Sequence, residues 1–189
     1  MSNRGSGLLE LLVGTALGLG VIGALTGAVG TGGRLLVAAG ARGEAEDTVQ
    51  LAVEAFDFDA RRAGYDPGAA GIAAVVEARA DRVTFTADLD GDGAVDPESE
   101  ETASYACLVG ARRLSRIIGR QSLPLADGVT ACALRYLDAA GAAMPIPAGG
   151  LAAAERARVR AVALDLTLLP AGLGGRTARS AVVALRTAP

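Results

Sequence analysis

The residues best suited to chemistry are acids and a pair of thiols. Asp88-Leu89-Asp90-Gly91-Asp92-Gly93-Ala94-Val95-Asp96 sets carboxylates at positions 1, 3, 5 and 9 and a glycine at position 6 of a calcium-loop pattern. Asp88, Asp90, Asp92 and Asp96, with a backbone carbonyl and water, could supply the six to eight oxygens that Ca2+ takes. Position 12 is Ser99 in place of the bidentate glutamate, with Glu98 and Glu100 on either side. The alternative is a solvated Asp/Gly turn between two strands, since those residues tolerate left-handed backbone. Cys107 and Cys132 are the only two cysteines. Each falls in an alternating, strand-like run and suits a core position; in an exported domain the pair would bridge, provided the two strands are neighbours. No cofactor beyond Ca2+ is suggested.

What the chain lacks narrows the chemistry further. It has no histidine, which removes Ser-His-Asp and Cys-His catalysis and every His-ligated metal site. No Gly-Ser elbow or phosphate loop is present, so the sequence gives no reason to expect an enzyme, and no catalytic residue is assigned. All 18 basic residues are arginine, a bias that fits a GC-rich genome. A net charge of -3 and no concentrated basic face give no footprint for nucleic acid. With 189 residues the chain has room for one domain and an appendage. Its apolar fraction of 51% owes much to alanine and to small side chains, so the core should be light.

The elements that would carry these groups follow from periodicity. Leu11 to Gly33 contains no charge, 23 positions that would make a helix of about 34 Å, enough to span a bilayer. Gly14 and Gly18, then Gly23 and Gly27, form small-xxx-small steps that suit close helix packing in lipid. Beyond Gly33 the pattern turns amphipathic, with Val49, Ala52 or Val53, Phe56, Ala60 and Ala63 on one face and most of the charges elsewhere. Gly40 and Gly43 are points of interruption, and Gly64 and Pro67 end the helix. After Pro67 a period of two predicts strands at about 82–87, 102–108, 112–118, 129–137, 158–168 and 180–187, separated by polar turns and the Gly172 to Gly175 stretch. The expected fold class is α+β, a long N-terminal helix packed on a mainly antiparallel β-sheet domain. Its divisions would be a leader at 1–5, the membrane part of the helix at 6–33, its amphipathic part at 34–64 and a β-rich domain at 65–189.

One acid breaks the apolar stretch near its start. Glu10 lies between Leu8-Leu9 and Leu11-Leu12-Val13, where a carboxylate at full membrane depth costs roughly 2.5 to 3.5 kcal/mol and calls for a partner or an interfacial position. A Sec signal peptide would not normally carry it, although Thr26-Gly27-Ala28 offers a small-residue cleavage site.

The run Arg4-Gly5-Ser6-Gly7-Leu8-Leu9-Glu10-Leu11-Leu12-Val13 resembles the prepilin signal of type IV pilins and type II secretion pseudopilins. The resemblance implies cleavage after Gly5, methylation of Ser6 as the mature N-terminus, and a Glu10 that faces the N-terminal amine of a neighbouring subunit in a helix bundle. Ser6 stands where that family usually has Phe, and Gly27 where it commonly has Pro. Phe58-Asp59-Ala60-Arg61-Arg62-Ala63-Gly64-Tyr65, the VTFTADLDGDG run and the LRYLDAAG run look like PilW-like and J-type minor subunits. The family implies a single-pass protein of the bacterial inner membrane, its globular domain in the periplasm or outside. Such a subunit would be assembled into an envelope filament, at the tip or as a minor component. Expected partners are other pilin or pseudopilin subunits, the prepilin peptidase, the inner-membrane assembly platform and, before assembly, membrane lipid. The competing expectations are a membrane-anchored, calcium-dependent extracytoplasmic binding domain that does not polymerise, and a secreted enzyme behind an ordinary signal peptide.

Overall fold

A computed structural model describes residues 6–169 and 176–185. Side-chain surroundings are not described for 6–10 and 21–38. Helix α1 runs unbroken from Ser6 to Arg62, 57 residues and about 85 Å, passing straight through Gly40 and Gly43. It ends where the sequence predicts: Gly64 adopts a left-handed φ of 76° that favours glycine, and its N–H donates to the Thr86 carbonyl at 2.9 Å. Among the described residues no helix is long and apolar enough to cross a membrane, and most of the apolar stretch after Gly20 lies outside the described side chains.

Among the described residues eight strands follow, β1 (Val75–Ala78), β2 (Arg82–Thr86), β3 (Thr102–Leu108), β4 (Arg113–Ile118), β5 (Gln121–Asp127), β6 (Val129–Leu137), β7 (Ala161–Leu168) and β8 (Thr177–Ala184), with a four-residue helix α2 (Ala153–Arg156) between β6 and β7. All pairings are antiparallel. The domain is α+β, as the periodicity implies, but the strands form two sheets, an up-and-down β1 to β5 and a smaller β6 to β8. Residues 158–160 precede β7 and are not part of it, and β8 begins three residues before the sequence pattern suggests.

The second half of α1 holds the sheets together. Ala45, Val49, Ala52, Phe56, Ala60 and Ala63, spaced by three and four, are buried, and from Val49 onward they pack in a core that includes Val83, Tyr105, Leu114, Leu164 and Val183. Phe56, Phe85 and Tyr105 meet edge to face with ring centroids 5.1 to 6.2 Å apart, a geometry that adds about 0.5–1.5 kcal/mol per pair beyond area burial. Small alanines on the helix let it approach closely, which offsets the shortage of large side chains.

Candidate functional site

The acidic loop joins β2 to β3 and folds around its own carboxylates. Asp88 is fully buried two residues past the end of β2, its Oδ1 accepting the Gly91 N–H at 2.7 Å and its Oδ2 the Gly93 N–H at 3.0 Å. Glu101, buried just before β3, reaches back into the loop. Its Oε1 accepts from Leu89 and Asp90 N–H at 2.7 and 3.3 Å, and its Oε2 from Asp96 N–H at 2.8 Å. These amides, that of Asp96 first, hold the Glu101 carboxyl below its ordinary pKa. Carboxylate oxygens of Asp88, Asp90 and Glu101 lie within 4.8 Å of one another.

Asp92 and Asp96, which the sequence pattern includes as ligands, are not part of this group. Their carboxylates accept the N–H groups of Ala94 and Glu98, each at 2.8 Å. Glu101 takes their place. It sits beyond Glu98, Ser99 and Glu100, where the loop pattern ends, so its role follows from the chain reversal into β3 and not from spacing.

The donor set fits a hard divalent cation. Each carboxylate has about four lone-pair sites. The hydrogen bonds named above occupy two on Asp88, three on Glu101 and, through the Asp92 N–H at 3.1 Å, one on Asp90. Oxygen capacity remains on all three, and three negative charges this close gain from a cation between them. Asp88, Asp90 and Glu101 could hold a metal ion, with water filling the remaining positions.

A second acid is buried on the amphipathic half of α1, where the sequence pattern sets most charges off the apolar face. Asp59, on the buried side of α1, accepts from the Tyr105 hydroxyl at 2.6 Å and from Arg116 at 2.6 and 2.8 Å. Asp59 raises the pKa of the Arg116 guanidinium, and burial followed by the Asp59 charge pushes that of the Tyr105 phenol up. The site ties helix to sheet.

The cysteines belong to different sheets. Cys107 in β3 and Cys132 in β6 form a disulfide with Cα atoms 5.6 Å apart, stapling one sheet to the other. The β1–β2 turn is clasped beside it. The Cys107 N–H donates to Asp81 and the Leu134 N–H to Ala80, and the Tyr136 hydroxyl lies 2.8 and 3.0 Å from the carbonyls of Arg79 and Arg82. Gly5 lies outside the described residues, as do the side chains of Ser6 and Glu10. The structure therefore defines an α+β protein with a long projecting helix, a disulfide-joined pair of sheets and an acidic loop. Compared with known proteins, the chain matches no family model and no curated relative.

Proposed function

We propose that the chain is a structural minor pilin or pseudopilin, anchored by α1 and built into a type IV pilus or a type II secretion pseudopilus. The observation that carries this reading is the division of α1 into two halves. Residues 45–63 bury a regular face in the domain, whereas Leu11, Leu12, Val13, Leu17 and Leu19 are 49–70% exposed, with nothing among the described residues to cover them. An apolar rod of that length calls for lipid first and neighbouring helices later. Glu10 on that rod supplies register: paired with a neighbour's N-terminal amine it is compensated, and a misplaced subunit leaves both charges alone. The reading requires no reaction. Calcium at Asp88, Asp90 and Glu101 would fix the β2–β3 loop on the domain surface.

The experiment is replacement of Glu10 by Leu, compared with wild type at equal membrane abundance. Insertion should be intact because the helix becomes more apolar, while recovery with sheared filaments or partner subunits should fall steeply. Glu10→Asp should fall part way. Undiminished incorporation of Glu10→Leu would favour the alternative, an anchored calcium-dependent binding domain that does not polymerise.

A further inference from the structure

Two surfaces of the domain are unlike and complementary. On the solvent side of α1, Leu51 and Phe58 are 65% and 56% exposed and stand seven residues apart, two turns and about 10 Å along one stripe. Glu44, Asp47 and Glu54 occupy the same stripe at three- and four-residue steps, and none has an ion-pair partner among the described residues. The stripe is apolar with an acidic border on its N-terminal side, where Gln50 donates to Glu54 at 2.7 Å, while at its other end the Arg62 guanidinium stands over one face of the Phe58 ring, 4.5 Å from the centroid.

The second surface is a groove of about 380 Å³ between edge strand β1 and the α2 turn. Its apolar lining includes Ile72, Val75, Val76 and Val159, and Arg156 and Arg160 are part of its wall. Val76 lies at the irregularity in the β1–β2 register and is 41% exposed. The two arginines donate to local carbonyls, Arg156 to Leu151 and Arg160 to Ala157 and Val159, and neither meets a carboxylate within ion-pair distance among the described residues. The acids nearby are engaged: Glu155 accepts the Ala152 N–H, and Asp66 accepts those of Ala70, Gly71 and Ile72. The groove is apolar with a basic border.

We propose that the Leu51–Phe58 stripe of one copy of this chain docks into the β1–α2 groove of a second copy, with the open face of Phe58 seated against Ile72 and Val76 and Glu54 facing Arg160. The stripe's acids without ion-pair partners are opposite in sign to the groove's arginines, Arg61 and Arg62 being held by Asp57, Asp59 and Glu100 of their own chain, and aromatic and arginine side chains are those most often found at the energetic centre of an interface. Because the patches differ, the contact is head to tail and repeats as an open filament or closes as a ring. It deepens the filament reading by naming a contact between successive subunits, and rests on that reading only for the choice of filament over ring.

The test uses the full chain in membranes. The native disulfide leaves no free thiol among the described residues, so Phe58→Cys and Val76→Cys introduce the only reactive ones for a short thiol-specific crosslinker, with Ile72→Cys as a second groove position. A chain carrying both substitutions should give a ladder of multimers, a mixture of the two single variants should give dimers only, and each single variant alone should give none. Glu54→Arg, combined with the cysteine pair, should lower the yield about tenfold, the change expected when a close interfacial charge pair is reversed. Adding Arg160→Glu should restore it. Dimers from one single variant alone, a crosslink to a different protein, or loss without restoration in the charge-swapped double variant would overturn the contact. If chains are recovered in sheared filaments but give no ladder from either groove position, the contact fails and the filament reading stands; a ladder with no filament recovery leaves the contact standing and removes the filament.

Discussion

Replacing Asp59 by Ala should be among the most damaging single changes in the domain. Its carboxylate is 1% exposed and takes three hydrogen bonds, so truncation leaves the Tyr105 hydroxyl and the Arg116 guanidinium facing a void. Breaking a buried ion pair by deleting one partner costs roughly 3–5 kcal/mol. Arg116 retains 17% exposure, so water reaches part of it and the expected loss is about 3 kcal/mol, at the lower end of that range. Tyr105→Phe should cost about 1.5 kcal/mol, since Asp59 keeps its arginine. Asp59→Ala with Arg116→Ala should be milder than the sum of the two, because the arginine that Asp59 holds most closely is gone and Arg62, 3.8 Å from Asp59, still has Glu100 at 4.0 Å. Denaturant unfolding of the full chain in detergent, followed by near-ultraviolet circular dichroism of the tyrosines, reads the domain separately from the membrane helix. A loss below about 1 kcal/mol for Asp59→Ala would refute the reasoning, showing that the helix is held by its apolar face alone.

The disulfide should stabilise the two-sheet arrangement by about 3 kcal/mol through its effect on the unfolded chain, a value checked by comparing Cys107→Ser/Cys132→Ser with the oxidised protein in the same denaturant series. Two free thiols in unreduced protein from the envelope would remove the basis for it. Millimolar calcium should raise the melting temperature of wild type and not that of Asp90→Ala or Glu101→Gln; equal shifts in all three would place the ion elsewhere. Glu101 and Asp66 have carboxyl pKa values lowered chiefly by backbone N–H groups. Each therefore stabilises the fold above its unfolded pKa and loses that contribution as pH falls towards the folded one. Melting temperature should decline from about pH 4.3 downward, and less so in Glu101→Gln, as an acid titration of thermal stability would show.

The parts legible in the sequence are those with strong period. The buried face of α1 and strands β2, β3, β4 and β6 stand close to where alternation places them, because one side of each meets the core. β1 and β5 escape notice for a shared reason: they are the two edges of the larger sheet, one only four residues long, the other largely exposed and interrupted by Pro124. Division into two sheets is equally hidden, since local pattern carries no information about which strands pair. Asp59 reads as a surface charge until Arg116, 57 residues away, is brought beside it. Glu101 was missed because its partners are backbone amides, which no spacing of side chains reveals. The acid run 88–96 did locate the loop and two of the three converging carboxylates.

The central claim, a filament subunit that keeps its N-terminal helix, is tested most directly by the mature N-terminus of the protein recovered from the cell envelope. Intact mass and N-terminal sequencing should give a chain beginning at Ser6, with Glu10 as its fifth residue and the whole of α1 retained. A chain beginning near Val29 would mean that an ordinary signal peptidase had removed the apolar half of α1, and would contradict the account.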